Sequence, residues 1–100
     1  MVLSDRSIAE EMAAGRIVVD PCDPADIQPS SIDLHLGQRF QVFRNSRYPY
    51  IDPTVEQRGL MDMVEASAGE PFVLHPGEFA LGATVERVSL PRDIVARLEG

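Results

Sequence analysis

Alternation of apolar and polar residues, cut into short runs by proline and glycine, is the feature that most limits what this chain can fold into. Eight prolines and seven glycines in 100 residues leave little room for long helices but several stretches of strand length. The turn signal Gln28-Pro29-Ser30 runs straight into strict alternation. Ile32, Leu34 and Leu36 fall on one side of a strand predicted over Ile32–Leu36, and Ser31, Asp33 and His35 on the other. A second strand is expected at Arg39–Phe43, with Phe40 and Val42 on one face. A third is expected at Glu70–Leu74, ahead of the strong turn His75-Pro76-Gly77-Glu78. From Phe79 the alternation resumes and runs to Glu86. After a turn at Leu90-Pro91-Arg92-Asp93, Ile94, Ala96 and Leu98 oppose Val95, Arg97 and Glu99.

One helix precedes the strands. Ser4 suits an N-cap, Leu3 can staple onto Ile8, and Ile8 and Met12 share a face of a helix predicted over Asp5–Ala14, which Gly15 is placed to end. Ile17-Val18-Val19 is a brief β-branched run stopped by Asp20-Pro21, and Cys22 to Pro29 reads as loop. Asn45 to Pro53 suggests an irregular, ordered surface turn. Between Val55 and Gly69, Leu60, Met61, Met63 and Val64 fit either one side of a short helix or a mobile loop. Short strands between Pro/Gly turns, behind one leading helix, predict a mainly-β domain of distorted-barrel or jelly-roll type. The last alternating run reaches Glu99-Gly100 with no closing element. The barrel is therefore expected to be truncated here, as the front part of a longer protein.

Composition narrows the chemistry. A net charge of −7, with every one of the nine positive residues an arginine, repels polynucleotide backbones, so nucleic-acid binding is not expected. Small anions remain possible, captured by a few arginines and backbone N–H groups. No apolar run is long enough to cross a bilayer, and the N-terminus carries a helix pattern where a signal peptide needs an apolar core. A soluble, cytoplasmic protein without membrane partners is expected. Cys22, the single cysteine, cannot form an internal disulfide and reads as incidental.

A zinc site would need convergent His and Cys ligands, and His35, His75 and one cysteine do not supply them. His75 reads as a turn or surface residue. Asp33 and His35 lie two residues apart on one predicted strand face, which makes an Asp–His contact conceivable; the plainer reading of that face is a solvated surface. No phosphate-cradling glycine loop or nucleophile elbow is present. Residue types and spacing alone give a β-rich domain without a complete active site.

Five segments in order resemble the N-terminal half of the dCTP deaminases, in the dUTPase-like (β-clip) superfamily. They are Leu3-Ser4-Asp5-Arg6 with its helix, Gln28 to Leu34, Phe72 to Phe79, Leu90-Pro91, and Arg97-Leu98-Glu99-Gly100. The resemblance covers essentially all of residues 1–100 as the N-terminal part of one such domain. It implies a β-barrel-like homotrimer with active sites at subunit junctions. The implied reaction is zinc-independent removal of the 4-amino group of dCTP, with Mg²⁺ accompanying the triphosphate and, in some members, hydrolysis of dUTP to dUMP and pyrophosphate.

In that family a Lys-Ser-Ser-Leu-Gly-Arg motif follows the Glu-Gly pair and the catalytic glutamate lies further on. Neither falls within these residues, so the catalytic residue is unknown and the isolated chain is expected to be inactive. Ser31 and Asp33 match the family's first motif and are the candidate substrate-binding residues, with strand packing or turn bonding as the plainer role. Arg97 could reach phosphate or pair with the neighbours of Glu99, and the ion pair is the default reading. Two rival readings stay open, a non-catalytic β-domain for assembly or regulation and a dUTPase.

Overall fold

The computed structural model describes residues 1–43, 53–54 and 61–100. These fall into two compact units, one built from 1–35 with 84–100 and the other from 36–83.

In the first unit, α1 spans Asp5–Ala13. The Ser4 hydroxyl accepts from the N–H of Ser7 at 3.2 Å, which satisfies one of the unpaired donors of the first turn. At the other end Gly15 takes φ +75°, its N–H donating to the Met12 carbonyl and the next N–H, from Arg16, to the Glu11 carbonyl. This paired closure needs a left-handed residue, which is why a glycine stands there. The helix is tied to the chain further on by the Asp5 N–H, which donates to the Pro29 carbonyl at 2.8 Å.

Strand β1 (Val18–Asp20) pairs antiparallel with β7 (Arg87–Ser89), setting Val19 opposite Val88. The expected loop at 22–29 holds more order than its punctuation suggests. Asp23 and Asp26 form a reciprocal capping box around a 3₁₀ turn at Pro24–Asp26. Strands β2 (Ile27–Gln28) and β3 (Ser31–Ile32) then pair across Pro29-Ser30. Ile8, Ile17 and Val19 are this unit's buried apolar side chains.

In the second unit, β4 (Leu36–Phe43) is the centre of a three-stranded sheet, with β5 (Met61–Glu65) on one side and β6 (Ala80–Thr84) on the other. Phe40, its buried side chain, lies opposite Val64 and stacks on Phe72 with ring centroids 4.1 Å apart and planes at 12°. The Pro76-Gly77 turn forms as expected, with Gly77 at φ +82° and the Glu78 N–H donating to the His75 carbonyl.

The mainly-β architecture with one short leading helix holds, built from small sheets that do not close among the described residues. Several boundaries differ from expectation. The strand expected at Ile32–Leu36 breaks after Ile32 and pairing resumes at Leu36. The alternation through 79–86 is likewise broken at Val85-Glu86, where the chain leaves β6 and enters β7.

Residues 61–65, expected as helix or loop, form β5 because β4 supplies a ladder that overrides weak local preference. Leu60 and the rest of 55–60 lie outside the described residues, as does the surface turn expected at 45–53 apart from Pro53. Glu70–Leu74 makes no ladder; Phe72 is anchored there by its ring. Ile94–Leu98 also lacks a strand partner among the described residues, and Val95 and Leu98 are exposed. Alternation marks which side a residue faces, but it does not supply a neighbouring strand.

Candidate functional site

Ser31 and Asp33, the substrate-side candidates, sit on and just after the β2–β3 hairpin. Ser31 is exposed and paired with Gln28 in the ladder. Asp33 has left the ladder: its N–H donates to the Asp26 carbonyl at 2.8 Å, and its Oδ2 accepts from the Gln28 side-chain amide at 3.0 Å. Its other carboxylate oxygen has no hydrogen bond among the described residues. The turn-bonding role expected for this segment is thus present, and a solvent-facing acceptor remains beside it.

His35 does not join Asp33. The irregular path from Asp33 to His35 turns its ring elsewhere, so no Asp33–His35 contact forms. Nδ1 lies 3.1 Å from Oε1 of Glu86, and Nε2 lies 3.8 Å from Oδ1 of Asp26. Because a carboxylate only accepts, Nδ1 carries the proton in the Glu86 contact. The His35 backbone N–H donates to both Glu86 oxygens, at 2.6 and 2.9 Å, and the His35 carbonyl accepts from the Val85 N–H at 2.8 Å. These bonds replace the ladder that the strand reading expected, and they explain why the strand breaks here.

Glu86 is the residue that sequence reasoning missed. Its side chain is 3% exposed, yet its partner is 51 positions away, so no local pattern marks it. Burial pushes its carboxyl up, but the His35 backbone N–H and then the His35 ring outweigh that, and the net position is below the ordinary glutamate range.

Glu86, His35 and Asp26 line an open cleft of about 480 Å³ together with Pro21, Cys22 and Val85. Burial and the charges of Asp26, Asp23 and Glu86 push the Cys22 thiol up, so it stays protonated and is a poor nucleophile. The cleft is acidic and suits N–H or O–H donors, not phosphate. At the C-terminal side, Arg16 bridges Glu11 and Asp93, and Arg97 pairs with Glu99 at 3.1 Å as expected. The Arg16 hydrogen bond is the main cause that draws the Asp93 carboxyl below its ordinary range.

The acid limb of stability follows from these pairs. A carboxylate whose folded pKa is depressed contributes stability that is present above its unfolded value and is lost as pH falls through the folded one. The urea midpoint is therefore expected to drop on acidification below about pH 5, and to drop less steeply in Glu86→Gln, because that linkage is removed. A Glu86→Gln profile parallel to the wild type would show that the carboxylate carries no such linkage.

A family model described as dCTP deaminase-like matches residues 2–100. The chain belongs to the dCTP deaminase-like family. Curated relatives bear the name "dCTP deaminase, dUMP-forming". One from Acidothermus cellulolyticus is 58% identical over the whole chain, which covers 52% of that relative. Others from Clavibacter michiganensis and Thermobifida fusca are 54% and 55% identical, with 50% and 51% of each covered. The chain thus spans about half the length of the curated relatives it matches. The mainly-β structure is consistent with a dUTPase-like fold, and no helix among the described residues is long and apolar enough to cross a membrane.

Proposed function

We propose that these residues are the N-terminal half of a dCTP deaminase that carries dCTP through dUTP to dUMP. The observation that carries this reading is the family match over 2–100, joined to relatives at 54–58% identity whose names specify dUMP formation. In this reading water adds at C4 of the cytosine and ammonia leaves. A second water then attacks the triphosphate, giving dUMP and pyrophosphate. The base that activates the first water is a glutamate in the half of the relatives that this chain does not cover.

This half contributes the wall bearing Ser31 and Asp33. A carboxylate there accepts from the nucleoside's amino or hydroxyl donors and repels its phosphates. Among the described residues no group of three His, Cys, Asp or Glu side chains is placed to hold a metal ion. In this reading the ion enters with the triphosphate. Exposed Leu36, Met63, Phe79 and Leu81 in one unit, and Val88, Val95 and Leu98 in the other, are surface that a homotrimer and the rest of the chain would cover. The enzyme would act in the cytoplasm.

The test is a chimera in which this chain replaces the segment it matches in the Acidothermus cellulolyticus relative. Ammonia release from dCTP with accumulation of dUMP is expected. A folded chimera that leaves dCTP intact, beside an active parent relative, overturns the reading.

A further inference from the structure

Glu86 is the one charged residue buried among the described residues, and a buried carboxylate persists only when its charge is met by donors. Among the described residues, the hydrogen bonds its carboxylate receives from distant parts of the sequence all come from His35, two from a single backbone N–H and one from the ring. The same residue is held on its other side by the Val85 N–H, which donates to the His35 carbonyl at 2.8 Å. Upstream, the Asp33 N–H is fixed on the Asp26 carbonyl. The Gln28 side-chain amide also donates to Asp33 Oδ2 at 3.0 Å. The stretch from Asp33 to His35 has no strand partner, so these few bonds, and no ladder, fix its backbone.

We infer that Glu86 is a positioning residue: by gripping the His35 backbone it fixes the irregular Asp33–His35 stretch and thereby the place of the Asp33 carboxylate against the nucleotide. This rests on the reading of Asp33 as substrate-binding within a dCTP deaminase. The grip is on the backbone N–H first and on the ring second, since the ring is more than half exposed while the carboxylate is buried.

A double-mutant cycle in the chimera decides it. Glu86→Gln keeps the side chain's shape and one acceptor oxygen, but sets an amide NH₂ in place of the other, where it faces the His35 N–H instead of accepting from it. KM for dCTP is expected to rise about tenfold in Glu86→Gln and about tenfold in Asp33→Asn, with kcat changing by less than about threefold. The double variant is expected to be no worse than Asp33→Asn alone, because the first substitution acts through the second residue. Additive effects, or an unchanged KM in folded Glu86→Gln, overturn the inference while leaving the deaminase reading intact. An unsubstituted chimera without turnover overturns both.

Amide exchange at His35 supplies a readout independent of catalysis. In the unsubstituted chimera this N–H is expected to be protected to the level of the β4 amides, and to exchange at least about tenfold faster in Glu86→Gln. Rapid exchange in the unsubstituted protein overturns the grip even if Glu86→Gln fails to fold.

Discussion

Phe40→Ala is expected to destabilise the protein by about 3–5 kcal/mol, the usual cost of emptying a buried phenylalanine site. That is a large share of the roughly 5–15 kcal/mol that holds a domain of this size together. Phe40 is the buried apolar side chain of its unit, 8% exposed. Phe72 stacks on one face, and Gly82 of β6 leaves the space that the ring occupies. A Cβ on Gly82 would stand 3.1 Å from the Phe40 ring and 3.4 Å from Leu36, and the stacked Phe72 limits how far the ring can yield. Gly82→Val is therefore expected to destabilise as well, by overpacking instead of by cavity, at about 1–3 kcal/mol. Val73→Ala is the control: that side chain is 62% exposed, so its loss should move the urea midpoint little. Equal effects for Phe40→Ala and Val73→Ala in urea unfolding would refute this account of the core.

What could be read from the sequence was whatever is decided within a few residues. Ser4 and Gly15 bracket the helix because capping and left-handed closure are local chemistry, and Pro76-Gly77 dictates its turn for the same reason. The short run Arg39–Phe43 yielded a strand because a genuine neighbour lies on each side of it. The same pattern misled at Ile94–Leu98, where no neighbour stands beside it among the described residues. It misled again at Asp33–His35, where the partners of the backbone lie at Asp26, Val85 and Glu86 and not in a ladder.

Glu86 was illegible for that reason: as one polar position in an alternating run, it looked like any solvated glutamate until the fold brought His35 to it. The candidate site was thus half visible. The hairpin residues Ser31 and Asp33 were marked by resemblance, while the buried carboxylate bonded to His35 was not marked by anything.

The polypeptide of residues 1–100 alone is expected to release no ammonia from dCTP above the buffer rate, whereas the chimera turns it over. Attack at C4 needs a base within hydrogen-bond reach of water and donors aimed at the charge that develops on the ring. A base useful near neutral pH has its proton affinity raised toward that pH. Glu86 and Asp93 are held the opposite way, both below the ordinary carboxylate range, by His35 and by Arg16. Glu86 is also fully engaged by His35, and Asp33 is an exposed carboxylate bonded to Gln28. Lacking a tuned base alone lowers the rate by about 10²–10⁴-fold, and lacking the charge-stabilising donors by about 10²–10³-fold more. A coupled ammonia assay on the purified polypeptide, run beside the chimera at matched concentration, measures the gap. Turnover by the polypeptide within about tenfold of the chimera would place the base inside these residues, because no smaller deficit is compatible with losing both groups.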